Sequence, residues 1–191
     1  YMRSKKEFLK QIEISGQSFP FTQNYPCLLD REEEGGSASG HYFHQDLLIA
    51  QQICKAQPAT HVDVGSRIDG FVAHVASFRP IEVIDIRSMS STLPNIAFVQ
   101  ADMMNPIGDH LKEYSDSISS LHAVEHFGLG RYGDPIDAMG HLKGLDNMYA
   151  MLKPGGMFYF SVPIGRQRIE FNAHRVFSIR YLLDYFEDKY T

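Results

Sequence analysis

Asp63, Asp85 and Asp102 each stand at or just beyond the end of a short apolar run. A glycine turn, Val64-Gly65-Ser66-Arg67-Ile68-Asp69-Gly70, directly follows the first of them. An acid just before such a turn suits a ligand that presents a cationic amine. A pyrophosphate would need G-x-G-x-x-G and an acid-free helix start. Here Asp63 precedes the turn, Asp69 lies inside it, and Ser66-Arg67 replace the second glycine of that fingerprint, so charge disfavours a nicotinamide dinucleotide. Gly65 and Gly70 flank the stretch where backbone must approach a ligand without a Cβ in the way, and Ser66 and Arg67 lie between them. Asp63 is placed either to orient the turn or to meet an ammonium group through water. Asp85, at the second strand end, can accept from both hydroxyls of a ribose. Asp102 can accept from an exocyclic adenine amine, with Met103 and Met104 as soft contacts to the base. Taken singly, a strand-end Asp is more often a turn former. The ordered set points to a nucleoside that carries an amine.

A second group follows the fourth apolar run: His122, Glu125 and His126. A hydroxyl that reacts as a nucleophile must lose a proton, and neutral histidine is the usual base near pH 7. His126 is the leading candidate, with Glu125 as its orienter or a second carboxylate and His122 beside them. The alternative is that these residues hydrogen-bond the cofactor or support the loop, and His122 is counted with the cofactor contacts as well. Residues 127–141 then form a glycine-rich loop in which Arg131, Tyr132, Asp134 and His141 are candidate substrate contacts. Asp134, Asp137, His126 and His141 have ligand chemistry suited to a divalent cation. Turn chemistry, with Asp137 as a helix cap, competes, and no metal is the expectation. Arg166, Arg168 and His174, with Arg175, suggest an anionic acceptor such as a uronate or nucleotide-linked sugar. Their alternative is a solvated loop pairing with Glu170 and Asp184. His41, Tyr42, His44 and Asp46 either close the site or cap a helix.

The elements that must position these residues alternate in period. Strand-like runs fall at His61–Val64, Glu82–Ile86, Ile96–Gln100, Ser117–Ala123 and Met157–Pro163. Helical patterning covers Asp46–Lys55, the spacing of Phe71, Val75 and Phe78, and the stretch Leu142–Leu152, which Lys153-Pro154-Gly155-Gly156 should stop. A last helix should open at Ser178, a good N-cap. Such alternation predicts an α/β, Rossmann-like, mainly parallel sheet with helices on both faces and its ligand outside the carboxyl ends of the strands. Residues 1–40 read as a partly flexible N-terminal arm, with a short basic helix over Ser4–Ile14 and an acidic, small-residue loop over Glu32–Gly40; residues 41–191 read as the ligand-binding domain.

Bulk properties set bounds. The 191 residues, 43% of them hydrophobic, suffice for one sizeable core. A net charge of −5 argues against nucleic-acid or anionic-membrane binding. Cys27 and Cys54 match no metal or redox spacing and read as free thiols in a reducing cytosol. No apolar run approaches the ~20 residues of a membrane span, and no basic-then-apolar signal opens the sequence, so a cytoplasmic protein is expected.

Over roughly residues 42–186 the sequence resembles class I S-adenosylmethionine (SAM)-dependent methyltransferases. The resemblance rests on Val62-Asp63-Val64-Gly65 with Gly70, Val83-Ile84-Asp85, Ala101-Asp102, Leu121-His122-Ala123-Val124-Glu125-His126 and Leu152-Lys153-Pro154-Gly155-Gly156. More narrowly, His41–Asp46, Gly65–Phe71 and Glu125–Pro135 look like an uncharacterised methyltransferase-like family first defined on nematode proteins, whose bacterial members often look like polysaccharide-modifying proteins. The resemblance implies SAM as cofactor and O-methylation of a small molecule or a sugar or polysaccharide precursor. The alternative is a non-catalytic binding module on the same fold. The expected partners are that acceptor and, optionally, a second copy of the chain. Two departures stand out: Arg67 replaces the usual glycine, and could meet the methionine carboxylate. The sequence also stops before the last two strands of the complete fold, so either a fragment or a shortened five-stranded variant is expected.

Overall fold

The computed structural model describes every residue except Thr191 and Ser37, the latter inside the predicted acidic loop. The chain divides into two units, Tyr1–Ser39 and the remainder from Gly40. The first contains α1 (Met2–Ser15), stopped by the left-handed Gly16 (φ 62°), and a 3-10 turn at Asp30–Glu32. Neither element buries a residue.

The second unit is built on a five-stranded sheet, ordered β3-β2-β1-β4-β5 and parallel throughout. Its strands are β1 (His61–Val64), β2 (Ile81–Asp85), β3 (Ile96–Gln100), β4 (Ser115–Leu121) and β5 (Leu152–Ser161). On one face, Ile81, Val83 and Leu121 pack against Ala50 and Ile53 of α2 (His41–Ala56) and against Phe71, Val72 and Val75. Phe71 and Val72 lie in the π-helical turn Ile68–Val72, which leads into α3 (Ala73–Ala76). On the other face, Val62, Val64, Ile84 and Ile118 meet Leu145, Met148 and Met151 of α4 (Gly140–Met151), with Tyr181 and Leu182 of α5 (Ile179–Phe186) packed alongside. Each fully buried side chain of this kind contributes about 1.5–3 kcal/mol, so apolar spacing largely decides which face each helix covers. The predicted α/β, mainly parallel architecture is therefore the observed one. Ser178 caps α5 as predicted, accepting from Tyr181 N–H at 3.2 Å.

Three local expectations are corrected. α4 stops at Met151, just before Lys153-Pro154-Gly155-Gly156 as expected, but β5 begins at Leu152 and not at Met157. The helix passes straight into the strand, and the four residues form a bulge across which the register jumps from Ser115–Leu152 to Ser117–Met157. Gly155 takes a left-handed φ of 77° inside this irregular stretch, a conformation glycine adopts without a Cβ penalty. Second, β4 begins two residues before the predicted start, because its serines are buried and hydrogen-bonded inside the sheet. Third, the arginine-rich segment is an antiparallel hairpin, β6 (Arg168–Glu170) with β7 (His174–Val176). Among the described residues no helix is long and apolar enough to cross a membrane.

Candidate active site

A crevice of about 500 Å³ opens over the carboxyl ends of β1, β2, β3 and β4, within the range of small-molecule sites. Its floor is the turn after β1. Gly65 takes φ 73°, and a Cβ added there would lie 2.8 Å from the Ala123 Cβ, so the β1 turn and the turn after β4 are in direct contact. Ser66 and Arg67 line the crevice, but Asp63 and Gly70 do not.

Asp63 is completely buried beneath the turn. It accepts from Ser66 N–H (3.0 Å), Ser66 Oγ (2.6 Å) and Ser119 Oγ (2.6 Å), while Ser66 Oγ accepts from Leu121 N–H at 3.0 Å. Of its two readings, orienting the turn or meeting an ammonium group through water, the geometry supports the first, because the carboxyl is sealed beneath the turn and does not line the crevice. Burial pushes its carboxyl up to about 6, against the hydrogen bonds that favour the anion. Gly70 likewise serves packing: a Cβ there would sit 2.6 Å from Asp46 Oδ2, so its missing side chain lets α2 close on the turn.

Asp85, Asp102 and Met103 all line the crevice. Asp85 is not free, because Arg87 clasps it, Nε at 3.0 Å from Oδ1 and Nη2 at 2.6 Å from Oδ2, and the Arg87 backbone N–H also donates to Oδ1. The Arg87 guanidinium lies 4.5 Å from the centre of the Tyr132 ring, a cation–π distance. This link between the second strand end and the glycine-rich loop went unread in the sequence. Its one signal was an arginine two residues beyond the strand-end acid. Asp102 closes its own turn through Met104 N–H (2.8 Å) and still faces the crevice.

The turn after β4 supplies the opposite wall. His122 holds φ 54°, an uncommon conformation for a side-chain-bearing residue and one that concentrates at functional sites. Its Nδ1 donates to Glu125 Oε1 at 3.1 Å. Glu125 is 2% exposed, and its Oε2 has no hydrogen-bond partner among the described residues. His126 Nδ1 donates to the Ala173 carbonyl at 2.6 Å, which leaves Nε2 as the acceptor nitrogen, 3.8 Å from Glu125 Oε1. Burial lowers the imidazole's pKa against the pull of Glu125, so His126 is neutral near pH 7.

Among the candidate acceptor contacts, Arg131, Tyr132, Asp134 and His174 line the crevice. Arg131 donates to Ala173 O at 3.1 Å. Asp134 is engaged as a turn former, accepting from Gly130 and Tyr132 N–H. Three candidates are corrected. His141 is buried between helices, its Nε2 2.7 Å from Tyr181 Oη, and burial lowers its pKa to about 4. Arg168 pairs with Glu170 at 2.8 Å on the hairpin, and Arg166 is exposed; neither lines the crevice. Arg175 points inward and donates to the Phe127 carbonyl, fastening the loop to β7. Among the described residues no three metal-ligating side chains gather. The first turn of α2 does reach the site: His41, Tyr42, Gln45 and Asp46 line it, with the Tyr42 ring 5.0 Å from His122.

The sheet order and the crevice over its strand ends define a class I methyltransferase-type fold, and solved structures share it. An O-methyltransferase family protein from Burkholderia thailandensis matches with a TM-score of 0.54 at 11% identity, over 76% of this chain and 49% of that one. Human N-acetylserotonin methyltransferase in complex with SAM matches with 0.52 at 15%, over 78% and 46%. Burkholderia thailandensis 1,6-didemethyltoxoflavin-N1-methyltransferase, with bound 1,6-didemethyltoxoflavin and S-adenosylhomocysteine, matches with a TM-score of 0.50 at 16% identity, over 75% and 66%. The chain thus spans about half to two thirds of the length of these proteins. No curated protein matches the sequence. The chain belongs to the family described as "Caenorhabditis protein of unknown function, DUF268", whose profile matches residues 89–186.

Proposed function

We propose that this protein is a SAM-dependent methyltransferase acting on a hydroxyl of a small molecule or a sugar or polysaccharide precursor. The observation that carries the reading is convergence. A side-chain-free turn at Gly65, carboxylates at the ends of β2 and β3, and a neutral imidazole after β4 all face one crevice. Asp85 suits the ribose hydroxyls, Asp102 the adenine amine and Met103 the base. Gly65 lets the backbone approach the amino-acid end. Similar folds carrying SAM or S-adenosylhomocysteine support the same choice of cofactor.

SAM supplies an electrophilic methyl carbon and leaves as a neutral thioether. The chain has to hold the acceptor oxygen in line with that carbon and to take its proton. His126 is built to receive that proton, because the Ala173 carbonyl fixes its tautomer with Nε2 bare, and Glu125 beside it stabilises the imidazolium that forms. Arg131, Tyr132 and His174 form the acceptor side of the crevice.

Calorimetry with S-adenosylhomocysteine tests the cofactor, and wild-type protein should bind it. His126→Gln should lower kcat by about 10²–10⁴-fold while moving the S-adenosylhomocysteine Kd less than about twofold. Binding without measurable transfer to any hydroxyl acceptor would favour the non-catalytic module.

A further inference from the structure

Glu125 poses a charge problem that the protein does not solve by itself. It is 2% exposed; Oε1 accepts from His122 alone, with the bare Nε2 of His126 3.8 Å away, and Oε2 has no partner among the described residues. Leaving a buried carboxylate oxygen without a donor is costly, and a buried charge without a countercharge more so. The arginines that line the crevice already have partners: Arg67 pairs with Asp69, Arg87 with Asp85, and Arg131 donates to the Ala173 carbonyl. No lysine or arginine pairs with Glu125 among the described residues, and burial keeps His126 from supplying a full charge. The carboxylate lines the crevice, so a cation brought by the ligand is the missing partner.

Position narrows the choice of ligand. The turn carrying Glu125 lies against the β1 turn at Ala123 and Gly65. A ligand whose nucleoside reaches Asp85 and Asp102 must pass its tail across that contact. We propose that the unpartnered oxygen of Glu125 receives the α-ammonium group of the cofactor's amino-acid end, making Glu125 a determinant of cofactor recognition. This assignment rests on the SAM reading above. Asp46 and Asp134 are the other buried carboxylates on the crevice, but both have donors: Asp46 sits on α2 with Gln45 at 3.3 Å and against Gly70, and Asp134 accepts from Gly130 and Tyr132 N–H.

The test is a pair of ligands. S-adenosylhomocysteine carries the amino-acid end and 5′-methylthioadenosine lacks it. By calorimetry, Glu125→Gln should weaken S-adenosylhomocysteine at least tenfold and shift 5′-methylthioadenosine less than twofold, since Gln keeps the shape but opposes an ammonium with its own N–H. Retained binding of the truncated nucleoside also reports an intact fold. Equal losses for both ligands, or no loss for either, overturn the assignment. So does Asp46→Asn if it, and not Glu125→Gln, separates the two ligands. A wild-type protein that binds neither nucleoside removes the SAM reading itself, a pattern distinct from each of the others.

Discussion

Asp85 illustrates how one side chain can be committed and available at once. Both carboxylate oxygens receive Arg87 donors, yet the side chain is at the crevice. Each oxygen has about two acceptor sites. A ribose must therefore compete with, or displace, the guanidinium, and displacement would also release the Arg87–Tyr132 contact. Charge-assisted hydrogen bonds contribute about 1.5–3 kcal/mol each, so Asp85→Asn should weaken S-adenosylhomocysteine by tenfold or more. Arg87→Ala should do the reverse, tightening binding several-fold because the carboxylate no longer has to be shared. Calorimetry on both variants checks the pair, and weaker binding in Arg87→Ala would mean that the arginine itself holds the ligand. The acid was readable in the sequence because it ends an apolar run. The arginine was not, because an ion pair between residues two apart looks the same in sequence as a solvated loop.

At the level of elements, the β1 turn and the turn after β4 act as one piece, joined where Gly65 meets Ala123 and where Ser66 links Asp63 to Leu121 N–H. Gly65→Ala meets two obstacles, a left-handed backbone and a Cβ contact at 2.8 Å. It should cost about 1–3 kcal/mol in urea unfolding and weaken S-adenosylhomocysteine by more than tenfold. Adding Ala123→Gly removes the contact but not the strain, so stability should return only in part; full recovery would show that sterics alone mattered. Strands with alternating or continuous apolar residues, such as Ile96–Gln100 and His61–Val64, were legible to the residue. The serine-rich start of β4 was not, because buried serines reveal themselves only through their partners. The hairpin at Arg168–Val176 was hidden for a related reason: its first strand is exposed and charged, so no apolar pattern marked it. His141 was misassigned to the substrate because proximity in sequence to the glycine-rich loop said nothing about which way α4 would face.

Across the whole molecule, pairing β1 directly with β4 buries a chain of polar groups beneath the crevice. The register sets His61 opposite Ser117 and Asp63 opposite Ser119, partners separated by more than fifty residues and invisible before the strand order is known. Ser117 Oγ donates to His61 Nδ1 (2.8 Å), His61 Nε2–H donates to Ser119 Oγ (3.2 Å), and Ser119 Oγ donates to Asp63 (2.6 Å). That direction of bonding requires a neutral imidazole, and burial with the nearby Arg79 charge lowers the His61 pKa from 6.5 to about 3. The unfolded chain therefore binds a proton at His61 between those pH values while the folded chain does not, so this contribution is complete above pH 6.5 and lost as pH falls toward 3. Asp63 acts in the opposite sense: its folded pKa, raised from 3.8 to about 6 by burial, favours the folded state below that window and is lost as pH rises through it. The two should offset one another between about pH 6 and 4. Substituting Gln for His61 keeps a donor toward Ser119 and removes only the first titration. At pH 7.5, His61→Gln should be less stable than wild type in urea unfolding. On acidification to pH 4.5 the gap should shrink by about 2–3 kcal/mol, since each pKa unit corresponds to 1.36 kcal/mol. A gap that stays constant from pH 7.5 to 4.5 would mean that His61 is not held neutral, and the directed chain from Ser117 to Asp63 would have to be redrawn.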